Sequence, residues 1–371
     1  MIFRCQLWRL TGALALGATL WGCAQRAPET WNPRHAASYL DAREAWWSSW
    51  KRAQRDEGTF CISCHTALPY ALARPALSPA AASMSASQRR LLENVTRRVT
   101  LWSVVRPYYP NQATASRATE AVLNALILAS ADARQGHLSA TTRSALQQMW
   151  SLQNISGASA GAWPWIEFNN EPWEAYDSAY YGAVLAALAV GTAPEGYRAS
   201  AAIQAPLAAL RGYLIRTYPA QSTLNHIMLL WASTRLPGLL DCDRRGALIA
   251  QIWKSQRADG GWSTGTLVGT WQPHDGWSLV TRSDGFATGL ILLALRDTGW
   301  PQELHSERAR AWLAGQQGLW SGAWRAASLN RDRSRLFDQA ARFMDDAATA
   351  FAVLALTPSG EPVIASGCKP L

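Results

Sequence analysis

The return, roughly every 50 to 60 residues, of short segments rich in Ala and Leu most limits what this chain can become. They are Ala118–Ala129, Asp177–Ala189, Ser222–Ala232, Asp284–Leu295 and Asp345–Leu356. Apolar residues cover nearly the whole circumference of each at helical spacing, which predicts helices enclosed by neighbours rather than lying half in water. Between them lie segments with one polar face: Gln88–Val104, Thr142–Leu152, Ser200–Tyr218, Arg244–Ser255 and Glu307–Gln316. With the Trp-rich Ala37–Arg52 and the segment Cys64–Leu77, they make six outer/inner pairs. No run alternates as a strand over several residues. The expectation is an all-α chain, an α/α toroid of about six helical hairpins over 36–358, because inner helices touched on every side need no polar face.

Composition agrees with a packed core. Of 371 residues 49% are hydrophobic and 16% charged, which argues against disorder. Trp is over-used, 20 residues against 7 Phe, so amphipathic rings serve at special positions rather than as plain core filling. The formal charge of +9 falls to +7 without Arg4 and Arg9 (33 basic against 26 acidic residues), and no stretch combines basic residues with RNA-type aromatic motifs. No nucleic-acid partner is expected.

Residues 1–22 carry those two arginines and then an apolar run from Leu10 to Trp21, the n- and h-regions of a secretory signal. Leu20-Trp21-Gly22-Cys23 resembles a bacterial lipobox, which implies that Cys23 is lipidated and becomes the mature N-terminus. Ordinary secretion is the alternative. Either route exports the chain, and the lipid would hold it at the periplasmic face of a bacterial envelope membrane, with 23–35 as a tether and 359–371 as a C-terminal tail.

The links inside the helix pairs carry a family resemblance. Gln256-Arg257-Ala258-Asp259-Gly260-Gly261-Trp262 resembles the Gln-x-x-x-Gly-x-Trp repeat of squalene-hopene cyclases and prenyltransferases. Gln316 with Gly322-Ala323-Trp324 resembles a second copy, and Gln153 with Gly161-Ala162-Trp163 a looser third. The resemblance implies a terpenoid-cyclase-like toroid. Mechanically, Gly ends the outer helix, Gln satisfies exposed backbone groups and Trp stacks over the turn.

The cyclases of this family place a protonating acid in an Asp-x-Asp-Asp-Thr-Ala motif opening an inner helix; the matching stretch here is Phe343-Met344-Asp345-Asp346-Ala347-Ala348, with Phe at the first acidic position. Asp241-Cys242-Asp243 departs from the Asp-x-Cys spacing of the prenyltransferase zinc site. Asp177, Asp284, Asp345 and Asp346 all open inner helices, where Asp caps N-termini and suits the helix dipole. In a toroid they would also ring one mouth of the cavity, as weak catalytic candidates. Glu167, Glu171 and Glu174 lie among Trp163, Trp165 and Trp173, a carboxylate–aromatic loop of the sort that binds sugars or cations.

The sharpest chemical motif is Cys61-Ile62-Ser63-Cys64-His65, the Cys-x-x-Cys-His sequence of c-type haem attachment. At this Cys and His content chance supplies it about 0.002 times in such a chain. Two thiols add to the haem vinyl groups and the adjacent imidazole becomes the proximal iron ligand. A single covalent haem c is therefore expected on Cys61 and Cys64, with His65 on iron. A redox dithiol, a disulfide or half a zinc site are the competing readings. Met84, His226, His274 and Met344 are available as a second axial ligand, and none is singled out. Cys242 and Cys368 then remain as a disulfide or as two unpaired thiols.

The expected function is that of an exported, lipid-anchored c-type haem protein in electron transfer or haem-based redox chemistry, with a redox partner protein. The alternatives are a haem-free toroid that binds or transforms an apolar, terpenoid or carbohydrate ligand, and a non-catalytic envelope scaffold.

Overall fold

Helices form where the sequence concentrates Ala and Leu, and side-chain caps set where they begin. The computed structural model describes residues 31–78, 84–298, 303–333, 338–358 and 368. Among the described residues six outer helices alternate with six inner ones: α1 (Pro33–Ser49), α2 (Ala67–Ala73), α3 (Ala86–Thr100), α4 (Ala113–Ala133), α5 (Ala140–Ser151), α6 (Ser178–Thr192), α7 (Gln204–Thr217), α8 (Thr223–Ser233), α9 (Cys242–Lys254), α10 (Gly285–Thr298), α11 (Glu303–Gly315) and α12 (Phe343–Leu356). Ser85 caps α3 in a reciprocal box with Gln88, and Asn32, Ser139, Ser222 and Asp241 cap α1, α5, α8 and α9. Each such cap contributes about 1 kcal/mol.

Burial separates the two layers. All but two of the fifteen residues of α6 are buried, whereas four of the twelve in α5 are. The even-numbered helices pack in succession, α2 on α4, α4 on α6, α6 on α8, α8 on α10, α10 on α12, and α12 returns to α2. Each odd-numbered helix packs on an even-numbered neighbour. The fold is all-α: among the described residues the only extended pairings are the isolated bridges Gln54–Phe60 and Asn170–Glu174.

Three links between outer and inner helices repeat one hydrogen-bond circuit. Gln153, Gln256 and Gln317 each donate from Nε2 to a nearby glycine carbonyl, of Gly161, Gly260 and Gly322, at 2.9–3.0 Å. The same amides donate to the start of the next outer helix, at the carbonyls of Pro206, His305 and Asn32. Trp163, Trp262 and Trp324 donate from Nε1 to the end of the preceding outer helix, at Met149, Ile252 and Leu313. The three glycines have positive φ, and a Cβ on any of them would overlap the backbone of the following outer helix, so a side chain is excluded twice over. The third circuit joins α11 to α1 and uses Gln317, not the expected Gln316.

The expected helix pairs are all present, with shifted ends. α1 begins at Pro33, so residues 31–35, expected in the tether, belong to the fold: Trp31 packs on Trp324 and Asn32 caps the helix. The segment Cys64–Leu77 is helical only from Ala67, as α2 and a 3-10 turn over Arg74–Leu77. The signal segment 1–22, Cys23 and most of the tail lie outside the described residues.

Candidate functional site

The Cys-x-x-Cys-His sequence lies in the link between α1 and α2. A turn through Glu57 and Gly58, both with positive φ, folds this link back on itself, and Asn94 of α3 clamps it by exchanging hydrogen bonds with the Phe60 backbone. Trp47 of α1 donates its indole N–H to the Cys61 carbonyl at 2.7 Å. Ser63 Oγ accepts from the backbone N–H groups of Thr66 and Ala67 and so caps α2. The serine between the cysteines thereby fixes His65 at the mouth of an inner helix.

His65 is held by rings and by one hydrogen bond. Its imidazole stacks on Phe343 at 3.6 Å and meets the edge of Trp47 at 4.8 Å. Nδ1 lies 2.8 Å from Thr66 Oγ1, and the Thr66 hydroxyl donates to Asp346 Oδ2 at 2.7 Å. Asp346 also accepts from Arg43 Nε at 2.7 Å and the Tyr39 hydroxyl at 2.8 Å. Because Thr66 spends its proton on the carboxylate, it can only accept from His65, which places the imidazole proton on Nδ1 and leaves the Nε2 lone pair bare. Burial, with Arg43 nearby, pulls the His65 pKa down to about 3, so the ring is neutral at ordinary pH.

Cys61 and Cys64 are free and buried. Burial pushes the Cys61 thiol up to about 12 and raises Cys64 well above its ordinary value, so both are protonated and unreactive as thiolates. Both thiols and His65 line a cleft of about 20 Å³ that Tyr108, Tyr109 and Glu174 help to close. On another side of His65 lies a cavity of about 150 Å³ bounded by Glu171, Trp173, Asn330, Arg333 and Met344. Burial, and for Glu171 the nearby Asp177, raises these carboxyls: Glu171 to about 8 and Glu174 to about 7. Among the described residues no three or more His, Cys, Asp or Glu side chains are grouped to hold a metal ion.

The other sequence candidates do not converge on this point. Asp284 takes four hydrogen bonds, two from Thr264 and two from the first turn of α10, and acts as a cap. Asp177 accepts from Asn225, and Asp345 accepts from Arg325 and the Ala326 N–H. Glu167 is exposed. Of the four acids only Asp346 reaches His65, and it does so through Thr66. Among the second-ligand candidates, Met344 lines the 150 Å³ cavity beside His65; His226 is bonded to the Tyr218 carbonyl, His274 to that of Asn169, and Met84 is exposed. Cys242 and Cys368 are joined by a disulfide.

Sequence reasoning missed Thr66, Arg43, Tyr39 and Glu44. Tyr39, Arg43 and Trp47 recur at every fourth residue of α1, a polar and aromatic stripe on a helix face, and that spacing was the available signal. Glu44 is buried with neither carboxyl oxygen partnered among the described residues, and burial raises its pKa well above the usual range. No protein-family model and no curated protein matches the chain.

Proposed function

We propose that the chain is an exported, lipid-anchored protein carrying one covalent haem c on a six-hairpin α/α toroid of the terpenoid-cyclase type, serving electron transfer or haem-based redox chemistry. Cys61 and Cys64 would hold the haem through thioethers and His65 would bind its iron. The observation that carries this reading is the state of the three side chains. Two unoxidised, protonated thiols lie beside a neutral imidazole whose Nδ1–H is anchored and whose Nε2 is bare. Haem iron takes His nitrogen in that protonation state, and a hydrogen bond from the other ring nitrogen fixes tautomer and orientation.

The donor set fits the group. A haem brings most of its iron's ligands with it and would need only His65 from this cluster. Bound haem would supply one-electron chemistry or a site for a small ligand. The chain's own contribution is to keep the proton on His65 Nδ1 by a hydrogen bond to the accepting Thr66 oxygen, to fix the ring plane with Phe343 and Trp47, and to cover the ring with Trp173. The flanking spaces of about 20 and 150 Å³ fall below the ~300–1,000 Å³ of ordinary cofactor sites. A haem held by Cys61, Cys64 and His65 would therefore need more room beside His65 than the packed rings of Phe343, Trp47 and Trp173 leave in this conformation. The toroid part of the proposal draws on the circuit of inner-helix contacts that returns from α12 to α2 and on the three Gln–Gly–Trp links.

The test is a pyridine haemochrome spectrum of the denatured protein made in a periplasm competent for cytochrome c maturation. A c-type spectrum lost in Cys61→Ala/Cys64→Ala is expected. A colourless protein from that host rejects haem. A second reading, a haem-free cavity acting on an apolar or carbohydrate ligand, draws on Glu171 and Glu174, two carboxyls raised to near neutrality beside Trp173.

A further inference from the structure

The turn inside the third Gln–Gly–Trp link carries Leu319 and Trp320, whose side chains are 80% and 99% exposed. The second link makes the same hydrogen-bond circuit with Ala258 and Asp259 in its turn, so the fold does not require large apolar side chains there. The Leu319–Trp320 turn lies beside the first described residues of the chain. His35 Nδ1 is 3.2 Å from the Leu319 carbonyl oxygen, Gln317 exchanges hydrogen bonds with the Asn32 backbone, and Trp31 packs on Trp324. We propose that Leu319 and Trp320 insert into the headgroup layer of the membrane that carries the lipid on Cys23, so that the fold sits with this turn against the bilayer. The inference rests on the lipid-anchor reading for its partner and is independent of the haem.

Reach, chemistry and charge carry it together. Cys23 precedes Trp31 by eight residues, a span of at most about 29 Å even when fully extended. An acyl chain on Cys23 therefore keeps this turn near lipid however the fold swings on its tether. An indole is amphipathic and settles at headgroup level, with its ring in the apolar boundary and its N–H toward polar groups, while a Leu beside it reaches deeper. Trp320 leaves almost its whole surface in water, so that transfer removes apolar area from solvent. Residues 311–324 hold no charged side chain and residues 31–40 hold only Arg34, which is exposed. The two stretches that meet at the turn thus offer an anionic headgroup a cation and no carboxylate. Ile155 and Trp277 are exposed as well, but they lie on the first link and on the loop before α10, without this placement at the start of α1.

The test is co-sedimentation with vesicles of phosphatidylethanolamine and phosphatidylglycerol, using the chain from residue 23 onward with Cys23→Ser, which carries no lipid and keeps every described residue. Saturable binding is expected, and Leu319→Ser/Trp320→Ser should weaken it at least about tenfold. The urea midpoint of that variant should be unchanged, because both side chains already lie in water in the folded chain. Ile155→Ser and Trp277→Ser should bind as the parent does. The same vesicles should protect Trp320 from oxidative footprinting. No vesicle binding, no loss in the double variant, or an equal loss in Trp277→Ser would each overturn the proposal. So would a chain that ignores vesicles but dimerises, with the dimer lost in the double variant, since that would assign the turn to a second copy. The mass of the protein made in an export-competent host reports on the lipid separately: an unacylated Cys23 rejects the anchor reading, while the vesicle result still decides for or against the turn.

Discussion

His65 donates its Nδ1 proton to a hydroxyl that Asp346 has already turned into an acceptor, so the state of the imidazole depends on Thr66. Thr66→Val keeps the shape and removes the hydroxyl. It should cost about 1–3 kcal/mol in urea unfolding, the penalty for a buried polar group left without its partner, while Thr66→Ser should restore most of it. Glu171 and Glu174 give a pH signature of their own. Their folded pKa values, about 8 and about 7, lie above the ordinary 4.5. Between those limits the unfolded chain has released protons that the folded chain retains, so stability falls as pH rises from about 4.5 toward 8. Glu171→Gln/Glu174→Gln should flatten that fall in a Tm-against-pH series; a wild-type Tm that does not decline over the interval would contradict the raised values. Cys61, Cys64 and His65 were legible as a cluster because the motif is contiguous. The Thr66–Asp346 contact was not, because it closes over 280 residues and depends on α12 returning beside α2.

At the scale of elements, the Gln–Gly–Trp links convert a row of hairpins into a connected outer layer. Gly260→Ala should be far more damaging than Gly276→Ala. Both residues have positive φ, which costs an alanine about 1–2 kcal/mol, but at Gly260 the new Cβ also runs into the Arg308 carbonyl, whereas at Gly276 it meets open space. Urea midpoints of the two variants check this, and equal losses would mean that the close approach of link and helix carries no energy. The motif was readable at Gln256 because its spacing to Gly260 and Trp262 is regular. At the third link two adjacent glutamines compete and the loop is one residue longer, so the choice of Gln317 depends on where Asn32 lies. The same contact explains why α1 starts earlier than its apolar pattern indicates: Asn32 is both cap and anchor, a role that periodicity does not register.

At the scale of the whole molecule, the Cys242–Cys368 bond closes a loop with a sequence separation of 126, joining the start of α9 to the tail beyond α12. A cross-link acts largely by restricting the unfolded chain, and for a loop of about 100 residues the stabilisation approaches ~4–5 kcal/mol. The tail thus turns a ring of local contacts, in which each hairpin meets mainly its neighbours, into a unit whose last two hairpins cannot separate widely even when unfolded. Cys368→Ser should lower the urea midpoint by several times the loss from one missing cap, and reduction of the wild type should reproduce that loss without adding to it in the variant. Non-reducing peptide mapping supplies the chemical check: Cys242 and Cys368 should appear in one linked pair and Cys61 and Cys64 outside it. Because such a bond forms in oxidising compartments, protein made with and without residues 1–22 should differ in this linkage if the leader directs export. The exported form would hold the tail bond, and the retained form would carry four thiols among Cys61, Cys64, Cys242 and Cys368. A linkage between Cys61 and Cys64 in the exported, haem-free protein would instead identify the buried pair as the structural bond and withdraw both thiols from haem attachment.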